Sequence, residues 1–493
     1  MCRVYTHNEQ AVSQLLRAER TLKSLESILI DLVRAFDDAG EELYLVGGSV
    51  RDALLGRLGH DLDFTTSARP DVVLRILNDW AEVVWDTGIA FGTVSGQRHG
   101  QQVEITTFRA DQYDGDSRNP DVTYGDTLAG DVERRDFTVN AMAVRLGVAD
   151  GSMTTQFCDL VGGFEDLMAG VLDTPAAPEK SFHDDPLRML RAARFVSQLG
   201  FELAPRVRDA MVAMAEEITR ITAERVQAEL DKLIGGRFAV KGVEVLVDTG
   251  LDTYILPEVG AMRMAEDEHQ QHKDVYRHSL TVLQQAIDQE DEDNSPDLIL
   301  RWAALLHDCG KPDTKAIKPD GGVSFHHHEV VGAKKVRRRL RALKYPKNVI
   351  RDVSQLVYLH MRFYGFGEGQ WTDSAVRRYV TDAGDLLPRL GKLVRADCTT
   401  RNQRKARRLQ RACDHLDERI AEIAAKEDLQ RVRPDLDGNE IMEILGLSPG
   451  PEVGRAWAYL KELRLQRGPL ERDEAIEELT RWWNGEAHSS PLR

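Results

Sequence analysis

With 493 residues, 42% of them hydrophobic, the chain is long enough for more than one domain, since single cores stop growing near about 250–300 residues. Its net charge of −16 excludes a uniformly basic nucleic-acid coat, but phosphate binding depends on local patches, and basic clusters occur at 334–341 and 401–411. No window approaches the ~18–20 apolar residues that span a bilayer, the opening residues lack a secretory pattern, and Cys2, Cys158, Cys309, Cys398 and Cys413 form no CxxC pair, so a soluble cytoplasmic protein with reduced thiols is expected.

Leu22, Leu25, Ile28, Leu29, Leu32, Val33 and Phe36 recur at helical spacing, which predicts one or two helices over 10–38. The stretch 43–63, LYLVGGSVRDALLGRLGHDLD, then reads as strand, glycine turn, helix and strand. Glycines let backbone N–H groups approach a phosphate, and carboxylates two apart on a strand, Asp61 and Asp63, project from one face. Such a pair facing a bound phosphate makes a magnesium site. A helix over 70–80 and β-rich runs at 82–85, 91–95 and 102–108 complete a small α/β sheet domain over about 40–145. Residues 109–131 are polar and turn-rich, a long loop of the kind that carries function. It leads into Arg134-Arg135-Asp136-Phe137-Thr138-Val139-Asn140-Ala141.

From about 165 onward β-like runs disappear. Over 186–199, Leu187, Leu190, Ala193 and Val196 share one helical face, while Arg188, Arg191 and Arg194 form a ridge beside it. Pro186 occupies the first helical position and Asp185 the N-cap. Helical periodicity continues over 205–234 and 239–249, and the region from about 400 is helical and charge-rich.

Asp61-x-Asp63 alone also suits a solvated strand. Joined to Gly47-Gly48-Ser49-Val50-Arg51-Asp52, it resembles the nucleotidyltransferase superfamily typified by DNA polymerase β. With Arg134-Arg135-Asp136-Phe137-Thr138 and Asp184-Asp185-Pro186-Leu187-Arg188-x-x-Arg191-x-x-Arg194-Phe195, the chain resembles bacterial class II CCA tRNA nucleotidyltransferases and their poly(A) polymerase relatives, over roughly 40–260. The resemblance implies Mg2+ on the catalytic residues Asp61 and Asp63, with Glu104 as a third carboxylate; nucleotide contacts from Gly48, Arg51, Arg135, Arg191 and Arg194; and a protein template, Asp185 and Arg188, that reads the incoming base. Without it, Asp185 is simply a cap, Arg188 a helix-surface residue, and Arg135 a partner for Asp52 or Asp136. The loop 109–131, with Arg109, Asp114, Asp116 and Arg118, would correspond to the element that helps switch from C to A, and its length argues against a CC-only enzyme. Two positions depart from the family pattern: Asp184 stands where glutamate is usual, and Leu172-Asp173 replaces a basic residue.

Further on, His278, His307-Asp308 and Asp397 sit in helical contexts and resemble the HD phosphohydrolase superfamily, which implies a divalent metal whose bound water attacks phosphate esters. His328, next to Glu329 in the run His326-His327-His328, and His360 are candidates for a second metal.

The expected architecture is α+β: a helical extension (1–39), a polymerase-β-like nucleotidyltransferase head (40–170), an all-helical neck (171–265), an HD domain (266–400) and a helical tail (401–493). The expected activity is template-independent addition of C, C and A to tRNA 3′ ends from CTP and ATP, with no membrane and no obligatory protein partner. A poly(A) polymerase shares the same motifs, and an HD phosphohydrolase acting on nucleotides or RNA ends is the alternative of another class.

Overall fold

The computed structural model describes residues 9–109, 125, 127–263, 274–291, 295–319, 322–365, 371–398, 403–427 and 433–486. They belong to two compact units, Met1–Ile255 and Leu256–Arg493.

The first unit is built on a seven-stranded sheet. Its strands are β1 (Leu43–Val46), β2 (Asp61–Thr66), β3 (Val83–Trp85), β4 (Thr93–Arg98), β5 (Gln101–Thr107), β6 (Ala143–Ala149) and β7 (Ser152–Cys158), in the order β3-β4-β5-β2-β1-β6-β7. All neighbours run antiparallel except β2 and β5, which are parallel and set Asp61 beside Gln102 and Asp63 beside Glu104. Alternation on β2 buries Leu62 and Phe64 against the core and turns both aspartates outward. Two helices, Glu9–Ser24 and Glu26–Asp38, account for the leading periodicity, and the second buries Leu29, Leu32, Val33 and Phe36. Each such side chain removed from water contributes about 1.5–3 kcal/mol. Pro70 opens the helix Pro70–Trp80, which buries Val73, Ile76, Leu77 and Trp80.

The sheet extends past the expected limit near 145. β6 and β7 form a hairpin whose two-residue turn, Asp150-Gly151, takes positive φ at both positions (51° and 78°), as a type I′ turn requires. β-structure also recurs later in two short pairs, Val171–Leu172 with Glu202–Leu203 and Ala316–Ile317 with Val323–Ser324, contrary to the all-helical expectation.

The helices that follow the sheet include Pro178–Asp184, Leu187–Leu199, Pro205–Met214, Ala223–Ile234 and Ala239–Asp248. Leu187–Leu199 packs on the last two so closely that a Cβ at Gly242 would lie 2.7 Å from Ser197 Cβ.

In the second unit, helices Val275–Ile287, Leu298–Leu306, His328–Ala342, Lys347–Leu359, Asp373–Ala383 and Leu387–Asp397 enclose a core that includes Trp302, Val336, Leu356 and Leu393. Gln403–Ala424, Gly438–Leu445, Pro451–Arg467 and Arg472–Glu486 complete it, the last three around Leu436, Ile441, Ala456, Leu460, Ala475 and Leu479. Among the described residues no helix is long and apolar enough to cross a membrane, and Cys158, Cys309, Cys398 and Cys413 are free thiols.

Candidate active site

β1 ends at Gly47, whose φ of 67° and ψ of −135° suit only glycine. A Cβ there would lie 3.2 Å from Arg135 Nη1 and 4.0 Å from Asp63 Oδ2, so the turn lets a guanidinium and a carboxylate approach the backbone together. Gly48 starts the helix Gly48–Leu54. The Ser49 hydroxyl fixes β2 against this turn: it accepts the Asp63 N–H at 2.9 Å and donates to the Asp61 carbonyl at 3.4 Å. Asp61, Asp63 and Glu104 share one face of the β2–β5 pair. Asp63 is open to solvent at the rim, yet surrounding protein atoms desolvate it. That burial, then Glu104 and Asp61, raise its pKa, while Arg135 and Arg51 pull it back. Three carboxylates that repel one another beside a glycine turn are a donor set suited to a hard divalent cation.

A continuous polar chain runs from this turn into the helices behind it. Arg51 clasps Asp52 at 3.1 and 2.9 Å and donates to Asn140 Oδ1 at 2.5 Å. Asn140 donates to Asp136 Oδ1 at 3.1 Å, and Arg191 grips Asp136 Oδ2 through Nε at 2.9 Å and through Nη2. Arg191 and Arg194 both face Glu229, at 3.8 and 3.0 Å, and the guanidinium groups of Arg51, Arg191 and Arg194 lie within 5.3, 5.6 and 4.0 Å of the Phe195 ring centre. Burial would raise the Asp136 pKa, but the Arg191 guanidinium and the hydrogen bonds from Arg191 and Asn140 hold it well below the usual carboxylate range.

Arg135 pairs with neither Asp52 nor Asp136. Together with Arg134 it brackets buried Asp131, at 2.9 and 2.7 Å. Asp185 caps less formally than expected. The helix starts one residue later, at Leu187, while Asp185 Oδ1 still accepts the Leu187 N–H at 3.2 Å and Oδ2 pairs with Arg225 at 3.0 Å. Arg188 donates to Ser181 Oγ at 2.8 Å and to the Arg134 carbonyl at 2.7 Å, which anchors the arginine helix beside Arg135. Arg194, expected to contact the nucleotide, is turned inward with only 8% of its side chain exposed; a buried guanidinium needs a carboxylate, and Glu229 provides it. Of the long-loop residues, Arg109 donates to Thr93 Oγ1 at 3.1 Å, whereas Asp114, Asp116 and Arg118 lie outside the described residues. At the departure from the family pattern, the Asp173 carbonyl accepts the Thr138 N–H at 2.8 Å and its carboxylate pairs with Arg206 at 2.8 Å, so Arg206 supplies the local positive charge.

The second unit gathers the histidines. His278, His307 and Asp397 form one group of potential ligands, and Asp308, His328 and His360 another, each with its ligand atoms within 4.8 Å of one another. Asp308 faces both: Oδ2 lies 3.2 Å from His307 Nε2 and 3.7 Å from His278 Nε2, while Oδ1 lies 3.3 Å from His328 Nε2 and 3.9 Å from His360 Nε2. The Nδ1 atoms of His307, His328 and His360 each meet a carbonyl three residues back, at 2.9, 2.8 and 2.6 Å, which leaves Nε2 pointing inward as a ligand requires. His307 Nε2 is buried beside the Asp308 and Asp397 carboxylates, at 3.2 and 3.6 Å, without well-aligned hydrogen-bond geometry to either, a further sign that the donor set suits a metal. Burial would lower the His307 pKa, but Asp308 and Asp397 push it up to about 10; burial and the charge of His307 push His360 down to about 4. Exposed His326 and His327 take no part.

Comparison with known proteins gives this geometry its context. Residues 43–173 match the Poly A polymerase head domain, 200–262 the probable RNA and SrmB-binding site of polymerase A, and 275–402 the HD domain. The A-adding tRNA nucleotidyltransferase of Deinococcus radiodurans is 34% identical over 426 residues, which cover 85% of this chain and 91% of that protein. The chain belongs to the tRNA nucleotidyltransferase and poly(A) polymerase family. The CCA-adding enzymes of Levilactobacillus brevis and Lacticaseibacillus paracasei are 42% and 41% identical, over 45% and 51% of this chain and 54% and 60% of their own lengths. The chain thus spans little more than half the length of these relatives. The crystal structure of the Bacillus stearothermophilus CCA-adding enzyme in complex with CTP superposes with a TM-score of 0.63 at 26% identity, covering 94% of this chain and 99% of that one.

Within this family member, several residues around the site escape a reading by motif alone. Asp131 was detectable, because it precedes Arg134 and Arg135 by three and four residues at helical spacing. Ser49 lies in the glycine turn, where its bridge to β2 depends on the fold rather than on a motif. Glu229 and Arg225 are 35 and 40 residues from their partners Arg194 and Asp185, and no local pattern marks them.

Proposed function

We propose that the chain is a template-independent tRNA nucleotidyltransferase that adds C, C and A to tRNA 3′ ends from CTP and ATP with release of pyrophosphate. The observation that carries this reading is the parallel register that sets Asp63 beside Glu104, with Asp61, against the Gly47 turn where Arg135 approaches. Mg2+ held by Asp61 and Asp63, with Glu104 adjacent, would stabilise the charge that develops on the phosphates and lower the pKa of the attacking 3′-hydroxyl. Gly48, Arg51 and Arg135 bind the triphosphate, Asp185 and Arg188 read the base edge, Arg191 supports the same pocket through Asp136, and Arg194 acts through Glu229 and Phe195. The division into extension, head, neck, HD domain and tail at 39, 170, 265 and 400 belongs to the same reading, as does a cytoplasmic location, where tRNA, CTP and ATP are found. In the HD domain, His278, His307, Asp308 and Asp397 would hold a divalent metal, with His328 and His360 as candidates for a second, and such a metal would supply activated water for phosphate-ester hydrolysis.

A second reading has its own support: the relative matched along 91% of its length is an A-adding tRNA nucleotidyltransferase. Purified protein offered tRNA transcripts ending before CCA, after C and after CC, with CTP or ATP singly and beside an unstructured RNA, separates the cases. Stepwise C, C, A incorporation is expected. Activity confined to ATP on transcripts ending in CC makes it an A-adding enzyme, and long A tails on the unstructured RNA make it a poly(A) polymerase. Asp61→Ala and Asp63→Ala abolish C and A addition alike, and persistence of either would remove the metal assignment. Phosphate release from 2′- or 3′-phosphorylated RNA that survives these changes and disappears in His307→Ala locates the second activity in the HD domain.

A further inference from the structure

The stretch 330–351 carries nine lysines and arginines and no carboxylate, in a chain whose net charge is −16. Most of it is the helix His328–Ala342, which buries Gly332, Ala333, Val336 and Leu340. Residues at i, i+4 and i+7 lie in one stripe, so Lys334, Arg338 and Arg341 line the opposite, exposed face over about 10 Å of helix axis. Lys344 and Lys347, also exposed, follow the helix, in the connection to the next one and at its first residue.

What sets these five apart is their lack of partners. Elsewhere in the second unit arginines are mostly neutralised: Arg301 by Glu290, Arg377 by Glu427, Arg395 by Asp414 and Asp417, and Arg464 by Asp435. On the same helix, Lys335 pairs with Asp313 and Arg339 with Glu258. Lys334, Arg338, Arg341, Lys344 and Lys347 form no ion pair or side-chain hydrogen bond among the described residues. Five unneutralised cations in a row repel one another and cost stability unless a polyanion answers them. A regular row of positive charge, with forked guanidinium donors at its centre, complements a sugar-phosphate backbone.

We propose that this stripe is an RNA-docking face, which holds the phosphate backbone of the tRNA substrate by charge and without reading bases. The identity of the RNA rests on the nucleotidyltransferase reading above; the docking face does not. Binding of a full-length tRNA transcript to the full chain is measured as a function of salt for wild type, for the triple variant Lys334→Gln/Arg338→Gln/Arg341→Gln, and for Arg472→Gln, an exposed but ion-paired control. Loss of three phosphate contacts is expected to weaken binding at least about tenfold near 0.1 M salt and to reduce the log–log salt slope by about 2–3. The KM for CTP and ATP stays at its wild-type value, and so does the control. The pair Lys344→Gln/Lys347→Gln, tested separately, lowers the slope by about 1–2 and guards against a folding defect in the triple variant. An unchanged tRNA affinity and slope in both variants overturns the proposal. So does a variant that keeps tRNA but loses poly(glutamate), since the face would then serve an acidic polypeptide. If wild type extends no tRNA at all, the nucleotide-addition reading fails, while the binding comparison, which needs no turnover, still decides the docking face.

Discussion

Replacing Asp136 by Asn keeps the shape of the side chain and removes the charge on which the polar chain behind the glycine turn depends. The carboxylate accepts the Phe137 N–H at 2.8 Å, Asn140 Nδ2 at 3.1 Å and two donors of Arg191, with Nε at 2.9 Å. Asn cannot satisfy them all, because its amide nitrogen must face another donor. Removing one partner of a buried ion pair costs about 3–5 kcal/mol. Here the loss is smaller, since the Arg191 side chain is 32% exposed and Glu229 lies 3.8 Å away as a second carboxylate. A loss of about 2–3 kcal/mol remains, which at about 2–4 °C per kcal/mol lowers the first unit's melting point by roughly 5–10 °C. The sign with pH follows from the depressed pKa. Asp136 contributes fully above the ordinary carboxylate value of about 4, and the contribution fades as pH falls toward the lower folded-state value. The wild-type-to-variant gap, followed by thermal melts monitored by circular dichroism, is therefore equal at pH 7 and 5 and narrows below about 4. A shift under about 1 °C at pH 7, or effects of Asp136→Asn and Arg191→Met that simply add in the double variant, would refute the argument.

Ser49→Ala removes the hydroxyl that ties β2 to the glycine turn; kcat for nucleotide addition should fall about ten- to a hundredfold with the melting point little changed, and wild-type kcat would show that the bridge is dispensable. Gly47→Ala forces a side chain into a conformation reserved for glycine and against Arg135, which should cost about 1–3 kcal/mol and raise the KM for CTP and ATP together; an unaffected KM would remove Arg135 from the triphosphate site. Because Asp308 and Asp397 hold a proton on His307 up to a pKa of about 10, a divalent cation binding at neutral pH must displace it. Its affinity should rise with pH, and calorimetry in buffers of different ionisation enthalpy should register proton release; heats independent of the buffer would exclude His307 as a ligand.

The head was legible because its chemistry and its local structure share one stretch. Leu43–Val46, the glycine pair and Asp61-x-Asp63 announce strand, turn and strand, and Pro70 marks the start of a helix that ends at Trp80. The β6–β7 hairpin is hard to read from the sequence although Asp150-Gly151 is a strong hairpin signal, because Arg145 and Gly147 interrupt its apolar pattern. In the site, motif spacing marked Asp61 and Asp63, which the structure sets on one face with Glu104, but not where the arginine ridge points. Arg188 ends on a carbonyl at 134, Arg191 on Asp136 and Arg194 on Glu229, partners fixed by helix packing at separations of 54, 55 and 35 residues. Among the three consecutive histidines, His328 alone turns inward, because it sits in the first turn of the helix His328–Ala342 after His327 adopts a left-handed backbone.

Asp308 gives one carboxylate oxygen to each histidine group, and this has a consequence for occupancy. Cations held by these two groups would share Asp308 and would not load independently. The first would draw electron density from the ligand on which the second relies, and a titration should resolve two steps of unequal affinity. Removing a terminal ligand, as in His278→Ala, lowers the stoichiometry toward one ion per chain, whereas Asp308→Asn takes it to zero.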